Sequence, residues 1–289
     1  MAAMTTIWRS IERLVRAEPT SDGAGVNLNR TIASAALPEL DPFLLLDEFN
    51  TENPGDYIAG FPDHPHRGFE TVTYMIEGNM RHADSTGTGG VLRSGGIQWM
   101  TAGRGIVHSE MPEQEGGKMQ GFQLWVNLPA TLKMSTPRYQ EFDPDKVPEI
   151  RRDDGARIRI VVGAHDGTDG IVSGIAVEPL YLDVTLPPGV SLEQPIAAGH
   201  NGFVYLFAGE SVSVTNTNGS ADGVIPYRHL AVLGDGDRLG LTNNAEQPAR
   251  MLVVAGRPIG EPIARYGPFV MNTREEIFQA FKDYEEGRF

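Results

Sequence analysis

The sequence predicts an all-β fold of the sandwich or closed-barrel kind, jelly rolls included, with one helix at its end. Short apolar or alternating runs recur at 69–76, 97–100, 122–126, 158–162, 180–186, 203–207, 230–233 and 251–255. Turn-forming clusters at 84–90, 186–189, 216–223 and 241–244 punctuate them. Amphipathic stretches between the runs are scarce, which argues against parallel βαβ units. The 34 Gly and 20 Pro in 289 residues agree, since both favour many turns between short strands.

The helix is placed by local chemistry. Thr273 and Glu276 form a capping-box pattern, and Ile277, Phe278, Phe281 and Tyr284 follow at helical spacing as a stripe that must bury itself. The stretch Ile7–Val15 reads equally as a strand or a short amphipathic helix. The chain also repeats itself. Tyr74-Met-Ile-Glu-Gly78 resembles Tyr205-Leu-Phe-Ala-Gly209, each after a turn-rich polar stretch. Aligning the two glycines sets His64 opposite Pro195 and His66 opposite Ala197, so only the first half carries imidazoles. The Pro-, Asp- and Arg-rich segment 137–154 joins the halves, giving domains at 1–145 and 146–289.

Composition excludes several functions. With Lys+Arg 24 against Asp+Glu 38, the net charge is −14, a field that repels phosphate backbones and anionic lipid. Direct nucleic-acid or membrane binding is not expected. Cys is zero, so no thiolate nucleophile, disulfide or cysteine-held cluster is possible. No apolar run approaches a membrane span, and Arg9, Glu12 and Arg13 interrupt any signal-peptide core. A cytoplasmic protein is expected.

The chemistry lies in two stretches, Gly60-Phe-Pro-Asp-His64-Pro-His66-Arg-Gly-Phe-Glu70 and Gly103-Arg-Gly105-Ile-Val-His108-Ser-Glu110. Residues i and i+2 of a strand share a face, so His64 points with His66 and His108 with Glu110. Facing pairs converge as three imidazoles and one carboxylate, a set that suits Fe, Mn, Ni, Cu or Zn and leaves room for an exogenous ligand. Three neutral His and one carboxylate leave about +1 on a divalent ion, which attracts an anionic oxygen ligand. Pro65 fits a strand position where a missing N–H costs little. A lone His-x-His is weak evidence; two strand-like pairs in one half-chain are stronger. His82, His165, His200 and His229 each stand alone and read as surface or capping residues. Trp99, Trp125 and Phe122 read as core, Arg104 as structural, 87–90 as a plain loop and 235–237 as a turn.

These residues resemble a known family. His64-x-His66-x3-Glu70-x7-Gly78 and Gly105-x2-His108 approximate the two cupin motifs, with Gly103 where the second usually has Pro. The runs 63–72, 99–112 and 123–129 are similar to the signature of the pirin family, and 41–49, 256–262 and 267–273 resemble its other segments. The resemblance implies two tandem cupin barrels, with Fe(II) or another divalent metal in the first only. The ligands it implies are His64, His66, His108 and Glu110. Glu70, a ligand in many cupins, then takes a supporting role. Some family members resemble flavonol (quercetin) 2,3-dioxygenases, which implies a flavonol-like substrate, O2, and Glu110 as the base that accepts the 3-hydroxyl proton. Others are regulators, which implies a metal-bearing interaction protein with a protein partner; a cupin isomerase or inert barrel is the third reading.

Overall fold

The computed structural model describes residues 6–215 and 221–289. Its chain folds as two all-β units, with one α-helix among the described residues, and every strand-to-strand ladder is antiparallel. One unit contains residues 18–146 and 259–289; the other contains the described residues of 6–17 and 147–258. The internal division falls at 146/147, and each unit takes in one end of the chain from beyond it. Residues 6–17 join the second unit because Ile11–Arg16 is a strand paired with His229–Leu233, which also answers whether Ile7–Val15 is strand or helix.

Each unit repeats one plan. In the first, a seven-stranded sheet runs Arg138–Phe142, Ile97–Thr101, Phe69–Glu77, Met119–Asn127, Phe43–Thr51, Val26–Arg30, Glu18–Asp22. A four-stranded sheet runs Phe61–His66, Ile106–Pro112, Met80–Asp84, Gly89–Leu92. Val26, Leu28, Phe49, Met75 and Met119 from the larger sheet cluster with Met80 and Leu92 from the smaller, so the alternate inward residues of both sheets make one core. In the second unit the central strand Asn201–Ala208 takes the place of Phe69–Glu77, and the edge strand Ser191–Pro195 that of Phe61–His66. The repeated pentapeptides are equivalent. Tyr74 and Tyr205 are buried, and Gly78 and Gly209 both turn at φ 93°, a conformation only glycine adopts without strain. Of the turn cluster 216–223, residues 216–220 lie outside the described residues, and the strand Ala221–Pro226 begins directly after them.

The helix Arg274–Glu285 starts where the capping box places it. Glu276 N–H donates to Thr273 Oγ1 (3.2 Å) and Thr273 N–H to Glu276 Oε2 (2.9 Å). Its buried stripe is Ile277 and Ala280, with half-buried Phe281 beside them, against Phe269 and Met271. Phe278 departs from the expected stripe and is 72% exposed, because one residue further round is about 100° away from Ile277. No helix among the described residues is long and apolar enough to cross a membrane.

The segment before this helix is stitched to the turn after His66. Val270 N–H donates to Arg67 O (3.0 Å), and the buried Lys133 ammonium donates to Gly68 O (2.8 Å), Val270 O (3.1 Å) and Asn127 Oδ1 (2.7 Å). Gly68 sits at φ 88°, and a Cβ there would lie 1.9 Å from Val270 O. Gly68→Ala is therefore expected to cost about 3 kcal/mol, combining left-handed strain with displacement of this strand. Urea unfolding checks it; a loss under about 1 kcal/mol would show that the segment yields freely.

Candidate metal centre

The three imidazoles meet because of strand register. Phe61–His66 and Ile106–Pro112 pair with His108 opposite His64 and Ile106 opposite His66. Phe61–His66 is an edge strand, so neither Pro62 nor Pro65 removes a ladder bond from a central strand. Ring centroids lie 4.4 Å (His64–His108), 4.7 Å (His64–His66) and 5.0 Å (His66–His108) apart. One ligand atom from each ring lies within 4.8 Å of the others, close enough for the three to converge on a single ion after a small side-chain adjustment.

The donor atoms fit a metal on their own evidence. Both ring nitrogens of His66 and of His108 are buried without a hydrogen-bond partner, and such atoms normally cost about 1–3 kcal/mol each. The Pro268 carbonyl approaches His66 without closing a hydrogen bond. His64 Nδ1 lies 2.8 Å from Pro62 O, which assigns its proton to Nδ1 and frees Nε2 as a ligand. Burial, reinforced by His108 and His64, holds His66 well below the ordinary imidazole value. Burial likewise lowers His108 to about 4, with Glu110 opposing and His64 adding to the effect. Both rings are therefore neutral, as metal ligation requires.

That depression predicts how the metal-free protein responds to acid. The unfolded chain takes a proton on this histidine near pH 6.5 and the folded chain only near 4, so stability falls as pH drops through that window. Chelator-treated protein is expected to lose about 3 kcal/mol between those limits, measured by chemical unfolding at each pH. A flat profile would mean that His108 protonates in the folded state as readily as in the unfolded chain.

Glu110 lies beside this group rather than within it. It is buried in the same cavity, opposite Phe61, past an irregularity in the ladder. Thr73 Oγ1 donates to its Oε1 (2.8 Å) and Gln123 Nε2 to its Oε2 (2.8 Å), while Trp125 Nε1 donates to Gln123 Oε1 (3.1 Å). Burial pushes its proton affinity up, but His108, His64 and the two hydrogen bonds outweigh it and leave the carboxyl below its ordinary value. A buried, ionised carboxylate with fixed orientation and spare lone pairs results. Glu70 is buried elsewhere. Thr101 Oγ1 donates to its Oε1 (2.6 Å), burial raises its proton affinity, and it does not line the cavity.

The cavity has a volume of about 580 Å³ and is walled by Phe49, Phe61, Leu45 and Trp125. Trp99, Phe122 and Trp125 are all buried in the core, as expected, and Trp125 in addition walls the cavity, its ring 5.2 Å from His66. Arg265 and Pro268 also line it, and nothing local in the sequence singles them out. Two histidines read as surface residues are buried. His82 faces Glu141 at 2.7 Å, and His165 Nδ1 lies 2.6 Å from Gln194 Oε1. Their cross-strand partners, invisible in a linear reading, make burial affordable.

Among the described residues, the second unit has no equivalent cluster. Its interior is a continuous aliphatic core including Leu192 and Ile196, which flank Pro195 on the strand matching Phe61–His66. Two antiparallel β-barrels, one with a buried three-imidazole cluster and one filled with aliphatic side chains, define a protein of the two-cupin class suited to one metal. Residues 25–126 match the Pirin family, and residues 181–289 match the Pirin C-terminal cupin domain. A pirin-like protein from Caulobacter vibrioides is 51% identical over 97% of this chain and 99% of its own length. Human pirin is 43% identical over 93% of this chain and 89% of its own. The crystal structure of a quercetin 2,3-dioxygenase from Acinetobacter baumannii superposes with a TM-score of 0.88 at 32% identity, covering 98% of each chain. The chain belongs to the pirin family.

Proposed function

We propose that this protein is a metal-dependent dioxygenase that opens the heterocycle of a flavonol of the quercetin type with O2 and releases carbon monoxide. The observation that carries this reading is a cluster of three imidazoles, two of them buried with no hydrogen-bond partner, beside an oriented carboxylate in an aromatic-walled cavity. His64, His66 and His108, completed by Glu110, would hold Fe(II), or Mn, Ni, Cu or Zn in its place. When bound, any of these ions would supply Lewis-acid polarisation of substrate oxygens, and a redox-active one, unlike Zn, would also supply a path for electrons to O2.

The chain's own residues do the rest. Glu110 accepts the 3-hydroxyl proton, a role its ionised state permits and its fixed oxygens favour. Thr73 and Gln123 keep the carboxylate from rotating away. Phe49, Phe61 and Trp125 bury a flat aromatic molecule and keep bulk water from it. Elemental analysis followed by oxygen uptake and loss of flavonol absorbance tests the reading. Turnover that follows metal content supports it; none with any of the five metals refutes it. A second reading, a metal-bearing partner of another protein, is favoured by the exposed Phe278 and Tyr266, at 72% and 69%.

A further inference from the structure

Among the described residues, Arg265 is the sole cationic side chain lining the metal-site cavity. It comes from the strand Ala264–Tyr266, some two hundred residues beyond the histidines in sequence. Its guanidinium lies over the Trp125 ring, 4.8 Å from the centroid, and Nη1 donates to Leu44 O (3.0 Å). The Trp125 ring is in turn 5.2 Å from His66, so one small aromatic molecule reaches from the imidazoles to the guanidinium.

What sets Arg265 apart is the lack of a carboxylate partner. Asp47 and Asp22, which line the same cavity, are both taken by Arg30, at 2.7 and 2.8 Å, and Glu110 by Thr73 and Gln123. No carboxylate lies within 4.0 Å of Arg265 among the described residues, in a chain of net charge −14. Burial, and then the neighbouring Arg30, make its cation less comfortable than in water, outweighing the more distant pull of Asp47 and Asp22. A guanidinium held over an indole ring, with part of its donor edge unpaired, is preorganised for an oxyanion.

We propose that Arg265 is a positioning residue for an anionic group on the substrate, a carboxylate or ionised phenol, carried on the ring away from the imidazoles. This rests on reading the cavity as the substrate site and narrows the substrate class to planar aromatics with a second acidic group. Trp125 supports the aromatic plane, and Arg265 fixes which edge points outward.

The test compares 3-hydroxyflavone with its 4′-carboxylate, and 2-naphthamide with the isosteric 2-naphthoate, on metal-loaded protein by quenching of tryptophan fluorescence. In the parent protein the carboxylate of each pair is expected to bind about tenfold more tightly. Arg265→Met is expected to remove that preference, leaving the neutral ligands within about twofold and the metal content unchanged; Arg265→Lys recovers part of it. In turnover the change falls on KM and spares kcat. Equal binding within each pair, or an Arg265→Met protein that loses neutral and anionic ligands alike, overturns the proposal and makes the residue a cover for Trp125. The preference surviving without any flavonol turnover would sink the dioxygenase reading alone; turnover without the preference would sink this inference alone.

Discussion

His108→Ala is expected to empty the centre of metal while leaving the barrel folded. His108 is 1% exposed, faces His64 across the ladder, and supplies one of three donors grouped within 4.8 Å. Even the hydrogen-bond partners of metal ligands are worth about 10–100-fold in affinity, so losing a ligand costs at least about 100-fold. The metal-free fold has less to lose. Truncation opens a void, but it also removes two buried nitrogens that lack partners, and the two effects offset one another. Metal content after dialysis and β-type circular dichroism measure both halves. Full metal content in this variant would remove His108 from the centre; loss of the β signal would show that the ion holds the barrel together.

Glu110→Gln is expected to lower turnover about 100- to 10,000-fold at saturating metal, the range for removing a general base. An amide fits the same space, accepting from Gln123 and donating to Thr73, so the two hydrogen bonds survive while the charge and basicity go. Metal affinity drops as well if the carboxylate completes the ligand set, and the assay is therefore run at rising metal concentration. Turnover within about fivefold of the parent would dismiss Glu110 as the base. Loss of metal binding with normal turnover at saturation would leave it a ligand only.

Much of the centre was legible because its signals are local. The His-x-His and His-x-Glu spacings express the two-residue period of a strand, and the observed burial of 106, 108 and 110 alternates in that way. The capping box at Thr273 is legible for the same reason, since four consecutive residues satisfy each other. What was not legible depends on distant partners. Trp125 reads as core, and nothing near it announces the cavity at its side or the Arg265 that the C-terminal segment lays across it. His82 reads as a surface residue until Arg138–Phe142 brings Glu141 alongside. Ile7–Val15 has no decisive period of its own and becomes a strand by pairing with the edge of a sheet completed two hundred residues later. Phe278 joins the expected stripe by spacing, yet the helix turns it outward.

The crossing of the termini bears on how the molecule is made. The imidazole-bearing barrel draws residues 259–289 from the far end of the polypeptide, and the aliphatic barrel draws its border strand from the beginning. A nascent chain on the ribosome therefore holds its ligands early but cannot seal the pocket around them until synthesis is almost over. Severing the gene at the middle would yield two pieces, each missing a part that only the other encodes.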